Sequence, residues 1–199
     1  MATVALLCVV GAAAVHSARE AHHAQIVGVD VVPPHAIPAV HLADRTGHTI
    51  ELHTLLGGPP PGRVALVFFG YTHCGDVCPT TLGHLAHARR MLGHNSGRMR
   101  IIFITTDPAH DTPEDVQAYG RQYDTTIVGL GGTRAQIDSA QRAFQVNTFD
   151  NGPMTLDAHQ RGPVHPVAVY IVDQQGLLRH VLPVFAASPA VADAVRPLL

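Results

Sequence analysis

"VALVFFGYTHCGDVCPTTLGHL", residues 64–85, joins an apolar run to a helix-like run through two cysteines. Val64 to Phe69 carries no polar side chain, so the run suits a strand buried on both faces. Beyond the cysteines, Leu82, Leu85, Ala88 and Leu92 recur at helical spacing, and Gly93, Asn95 and Gly97 mark the end of that helix. Cys74 and Cys78 therefore sit at a strand-to-helix junction. Unpaired backbone amides and the helix dipole stabilise negative charge there, which pulls a thiol below its free value. Residues four apart on a helical turn share a side, so both sulfurs can converge on one point.

The same alternation continues outward. "AVHLADRTGHTIELHTL" predicts a short strand, a turn at Arg45 to Gly47 and a second short strand. "GGPPPG" at 57–62 is a loop, and "RIIFITT" is a second buried strand. Thr112, Pro113 and Asp115 form a helix start, with a capping hydroxyl, a proline at the first helical position and a carboxylate three residues after the cap. That helix is predicted to reach about Tyr123. "TIVGL" is a third strand, and Thr133 with Gln136 opens another helix ending at Phe144. "VAVYIVD", a turn at Gln174 to Gly176 and "LLRHVL" predict a terminal hairpin. The fold class expected is α/β, a central mixed sheet flanked by helices.

Composition narrows the function. The 199 residues are 46% hydrophobic and 14% charged, enough for one domain with a full core. A net charge of -2 offers no field for nucleic acid. All 13 cationic residues are arginine, so lysine-based Schiff-base chemistry and Walker-type phosphate binding drop out. The 15 histidines read mostly as exposed polar positions, with weak metal capture by pairs such as His22 and His23 as the alternative. Residues 1–18 hold an apolar stretch, Val4 to Val15, that is too short to span a bilayer and has the length of an export signal core, without a cationic start. It reads as an export signal or membrane anchor, and Cys8 belongs to it. Residues 19–37, rich in His and Pro, read as a linker into a domain at 38–199.

Three uses of the thiol pair stay open on spacing alone: a disulfide made and broken, a metal site, or an inert staple. A staple closing so short a loop stabilises little. The tighter two-residue spacing typical of dedicated redox exchange is absent. Cu(I) accepts two thiolates and one imidazole, whereas structural zinc wants four protein ligands. A peroxiredoxin needs a threonine three residues before its cysteine, where Tyr71 stands.

"VALVFFGYTHCGDVCPTTL", "ITTDPAHDTPEDVQAYGRQYD", "IVGLGGTRAQIDSAQRAFQV" and "HPVAVYIVDQQG", in that order, resemble the signature blocks of the Sco/SenC family. The resemblance runs from about residue 38 to 185. It implies a thioredoxin-like fold and a copper chaperone for cytochrome c oxidase assembly. By that resemblance Cys74, Cys78 and His165 hold one copper ion, Cu(I) or Cu(II). His165 lies five residues before Tyr170 in a strand ending at Asp173, as the family histidine does. His159 is the reserve ligand. His73, adjacent to Cys74, points away from Cys78 and reads as solvated or supporting. Two features depart from the family pattern. Gly75 stands where a proline is common, and Val164-His165-Pro166 replaces Asp-His-Ser or Asp-His-Thr. Gly75 loosens the cysteine loop, and Pro166 restricts His165 to extended geometry. Pro166 also stands where thioredoxins carry the cis-proline that faces their cysteines, which adds weight to redox activity. Asp76 either tunes the thiols or is a plain solvated acid.

The implied partners are the copper-site subunit of cytochrome c oxidase and another copper donor. The implied location is the periplasmic or extracytoplasmic face of a membrane, with a tether through residues 1–18. The alternative function is a thiol-disulfide oxidoreductase that reduces the cysteines of the same subunit, with Cys74 and Cys78 as a redox-active disulfide.

Overall fold

A computed structural model describes residues 28–57, 63–146 and 168–199. Cys8, His22, His23, His159, His165 and Pro166 lie outside the described residues.

The core is a six-stranded mixed sheet in the order β1-β8-β7-β4-β5-β6. Its strands are β1 (Val29–Ala36), β4 (Val64–Gly70), β5 (Met99–Thr105), β6 (Val128–Leu130), β7 (Ala168–Val172) and β8 (Leu177–Pro183). β4, β5 and β6 run parallel, whereas β7 lies antiparallel to β4, and β8 to β7. A separate hairpin, β2 (His41–Ala43) with β3 (Thr49–Glu51), sits where the sequence predicted two short strands. Among the described residues there are five α-helices: α1 (His53–Leu56), α2 (Val77–Met91), α3 (Pro113–Arg121), α4 (Arg134–Ala143) and α5 (Ser188–Val195).

Side chains alternate across the sheet, as a period of two requires. Val64, Leu66 and Phe68 of β4 join Ile101 and Phe103 of β5 on one face, covered by α2, α3 and α5. Ala65, Val67 and Phe69 join Ile102 and Ile104 on the other, under α1, α4 and the β2–β3 hairpin. All seven residues of β4 are buried, because both faces are covered. Each fully buried Leu or Phe stabilises by roughly 1.5–3 kcal/mol, so this central strand anchors both layers.

Both capping boxes form as predicted. Thr112 Oγ1 accepts from the Asp115 amide at 3.2 Å, and Thr133 Oγ1 from the Gln136 amide at 3.3 Å. Gly93, with φ at 58°, lets the chain leave α2 in a left-handed step.

Three expectations change. The span 19–37, read as a linker, contains β1, which pairs antiparallel with β8. Pro33 and Pro34 are tolerated because β1 is an edge strand, and its register shifts between Asp30 and His35. The helix from Thr112 stops at Arg121, two residues before Tyr123. The hairpin is not terminal: α5 follows, with a proline in its first turn and Val191, Ala192 and Val195 buried against the α2 face. No helix among the described residues is long and apolar enough to cross a membrane.

Candidate functional site

β4 ends at Gly70, and α2 begins at Val77 after six intervening residues. Cys74 lies in the connecting loop, its amide donating to the Tyr71 carbonyl at 3.4 Å. Cys78 sits in the first turn of α2. Both thiols are free and buried. The first amides of a helix have no partner within it and need one from outside. Asp76, at the cap position, supplies no side-chain bond. The Cys74 sulfur serves in its place: the Cys78 amide donates to Cys74 Sγ at 3.4 Å. The spacing of four therefore has a local cause and consequence. It lets one thiol cap the helix that carries the other.

The two sulfurs differ in chemistry. Burial works against ionisation of Cys74, which lies just beneath the surface. Amides of Asp76 and Cys78, the Cys78 thiol and the Tyr71 hydroxyl outweigh it and hold Cys74 below its ordinary 9.0. Cys78 lies deeper and is pushed up to about 12, first by burial and also by Cys74 and Asp111 nearby. Tyr71, desolvated and facing Cys74, is likewise raised to about 12, so its hydroxyl stays protonated and donates to the sulfur. The pair thus offers one thiol whose ionisation is favoured and one whose ionisation is opposed. That is the division of labour of a nucleophile and a resolving partner, and it also supplies two soft donors to a metal that displaces their protons.

Gly70 seats the inner sulfur. A Cβ at that position would come within 2.7 Å of Cys78 Sγ and 2.9 Å of the Phe103 ring. Only glycine allows the strand end and the sulfur to occupy these places together.

Asp111 holds the loop. Its side chain is fully buried, and it accepts from the Thr72 amide at 3.1 Å, Thr72 Oγ1 at 2.5 Å and Thr105 Oγ1 at 2.6 Å. Thr106 ties the neighbouring strand end down as well, donating its amide to the Gly70 carbonyl at 2.7 Å. The cysteine loop is thus fastened to the end of β5 from both sides of Tyr71. His73, predicted to point away, is 74% exposed, with Nδ1 3.6 Å from Asp111 Oδ1. Beyond its chain neighbours, Gly75 has no atom within 4 Å of where a Cβ would stand, so the loop has open space at that position.

Cys74 and Cys78 are brought together as expected. His165 and His159 lie outside the described residues, and among the described residues no three His, Cys, Asp or Glu side chains gather as a metal cluster. The start of β7 does lie at the thiol end, since Val169 pairs with Phe68. Asp111, Thr72 and Gly70 escaped the sequence reading. Their signal is three-dimensional: Thr72 and Asp111 are 39 residues apart in the chain.

The chain matches a family model described as SCO1/SenC over residues 38–199. It is 29% identical to the mitochondrial SCO2 homolog of Homo sapiens over 137 residues, 68% of this chain and 51% of that one. Solution structures of apo Sco1 from Thermus thermophilus superpose with a TM-score of 0.70 at 26% identity, covering 88% of this chain and 99% of that one. Bradyrhizobium japonicum ScoI with copper bound gives a TM-score of 0.66 at 26% identity, covering 83% and 100%. The mixed sheet flanked by helices is the thioredoxin-like fold of these structures. The chain spans about half the length of the curated relatives it matches.

Proposed function

This chain belongs to the SCO1/SenC family, and from that premise we propose that it is an exported copper chaperone serving cytochrome c oxidase assembly. Cys74, Cys78 and His165 hold one copper ion as cargo, and the copper-site subunit of the oxidase receives it. Residues 1–18 direct export or tether the chain at the periplasmic or extracytoplasmic face, and residues 38–199 carry the copper.

The observation that carries this reading is the convergence of two free thiols at one helix start, with Cys74 already inclined to ionise. Copper binding needs both sulfurs deprotonated. Cys74 loses its proton readily, while Cys78 gives its proton up only when a cation replaces it. Two thiolates and an imidazole suit copper's softness better than they suit a four-ligand zinc site. Relatives point the same way: the Bradyrhizobium japonicum ScoI structure has copper bound.

The test is copper titration of the reduced full chain beside its Cys74→Ala/Cys78→Ala and His165→Ala forms. The double variant loses tight binding of the single equivalent. His165→Ala weakens Cu(II) at least about tenfold, about 1.4 kcal/mol, while Cu(I) is less affected because two thiolates can hold it linearly. Unchanged affinity in the double variant would refute the assignment.

The opposed thiols favour a second reading, a thiol-disulfide oxidoreductase acting on the same oxidase subunit. The Cys74 thiolate attacks the subunit's disulfide, forming a mixed disulfide and releasing one client thiolate. Cys78 then loses its proton and displaces the second client sulfur, which leaves a Cys74–Cys78 disulfide and a dithiol client. His165→Ala separates the readings, because exchange persists where copper affinity falls.

A further inference from the structure

At the end of β4 opposite the thiols, the structure opens a cavity of about 150 Å³ lined by Arg63, Arg89, Gly97, Met99, Arg100 and Thr126. β4 separates this cavity from the cysteine loop by its full length, roughly 20 Å at 3.3 Å per residue. Three arginines line one space, and their partners are unequal. Arg89 is compensated: Nη1 meets Asp124 Oδ2 at 3.1 Å, and Nε donates to the Met99 carbonyl at 3.3 Å. Asp124 is then spent, because its other oxygen accepts from the Thr126 amide at 2.9 Å and Thr126 Oγ1 at 2.7 Å. Arg100 has one bond, from Nη1 to the Leu55 carbonyl at 2.6 Å, and no carboxylate partner among the described residues. Arg63 has neither a hydrogen bond nor an ion pair among the described residues. The preceding segment, Gly-Pro-Pro-Pro-Gly at 58–62, contains no acid that could supply one.

Two cations without a counter-charge among the described residues therefore share a half-buried recess. Burial and then the charge of Arg63 hold the Arg100 guanidinium below its usual range, so the like charges act on each other through a partly dry space. An arrangement of this kind is costly when empty and is relieved by an anion. Guanidiniums present planar forks of N–H donors that fit two oxygens at once, which favours a tetrahedral oxyanion over a halide. We propose that this cavity is a binding site for a phosphate-class oxyanion, held by Arg63 and Arg100, with Arg89 fixed by Asp124 as the third wall. The site is independent of copper and of the thiols. Its ligand is either free phosphate or the phosphomonoester head of a phosphatidic-acid lipid, which share the same oxyanion chemistry.

The experiment uses the full chain in buffers matched for ionic strength with chloride. Inorganic phosphate is titrated while the thermal midpoint is followed, and binding is read separately by calorimetry. The expected result is a midpoint that climbs with the logarithm of phosphate concentration. Arg63→Gln and Arg100→Gln each weaken phosphate binding by about tenfold or more. Arg121→Gln, on the exposed side of α3, leaves it intact. Arg63 is a partly exposed residue ahead of the strand, so Arg63→Gln tests binding with little risk to folding. A second arm floats the chain with phosphatidylcholine vesicles containing phosphatidic acid. Flotation that depends on Arg63 assigns the site to a lipid head, and phosphate binding without flotation assigns it to the free ion. Midpoint shifts equal in the wild type and Arg63→Gln, or no phosphate effect with no Arg63-dependent flotation, would overturn the proposal. Copper binding by the thiols is unchanged in either case.

Discussion

Beneath α1, α4 and the β2–β3 hairpin, Phe69, Phe144 and Tyr170 meet edge to face, with ring centroids 5.3 to 6.0 Å apart. Across the sheet, Phe68 stacks on Phe103 at 5.8 Å, and the same row ends in two sulfurs. The closed face is sealed by these rings and the aliphatic side chains around them. Where β4 ends at Gly70, polar groups take over beside the other face: Tyr71, Thr72, Asp111 and the thiols. The difference teaches that the sheet supplies rigidity on one side so that the other can carry ionisable groups in a dry setting. It also predicts that the two faces fail in different ways.

The largest expected effect is on the closed face. Phe69→Ala should cost about 3–5 kcal/mol, the range for a buried phenylalanine leaving a cavity. Thiolate absorbance of the folded variant should titrate as in the wild type. A shifted Cys74 titration would break the separation of the faces. Asp111→Ala should cost less, about 2 kcal/mol, because it leaves the Thr72 amide and two hydroxyls without their acceptor. Unlike the first variant, it should also change the rate at which iodoacetamide modifies Cys74, since the loop it fastens carries that sulfur. Urea unfolding and alkylation on the same preparations give both numbers.

Much of this contrast was legible beforehand, for physical reasons. An unbroken apolar run marks a strand covered on both sides, so β4 and β5 announced the sheet's centre. Thr112 and Thr133 announced helix starts because capping chemistry is local. β1 was hidden, since Pro33 and Pro34 look like a linker unless the strand is known to be an edge. α5 carried a usable signal in Ser188-Pro189 followed by Val191 and Val195. At the site, the cysteine pair was visible because its partners are near in sequence. The contact between Thr72 and Asp111 was not, because it exists only once β4 and β5 lie side by side.

Alkaline pH sharpens the comparison further. Cys78 is raised in the folded protein from 9.0 to about 12, so the native state keeps a proton that the unfolded chain gives up. Its contribution to stability is complete below pH 9.0 and is lost as pH rises toward about 12. Tyr71 and Tyr170 add the same sign only from their ordinary 10.0 upward. Between pH 9 and 10, Cys78→Ala should therefore flatten a decline of up to about 1.4 kcal/mol per pH unit. Denaturant midpoints across that interval check it, and an unchanged slope would mean the inner sulfur is not desolvated. The smallest effect returns to the closed face. Thr133→Ala should cost about 1 kcal/mol through loss of the α4 cap, with copper affinity and thiol titration unaltered.

Gly70 gives the thiol pair a mechanical asymmetry. The inner sulfur rests in a notch cut into the end of a strand that is held on both edges and both faces. The outer sulfur rides on a loop whose next residue, Gly75, has open space where a side chain would stand. The pair works as a vice with one fixed jaw and one sliding jaw. Whatever closes the gap, a second sulfur bond or a cargo ion of a given radius, the travel is borne by the stretch from His73 to Asp76, beyond the Thr72–Asp111 anchor, and the sheet behind Cys78 keeps its shape.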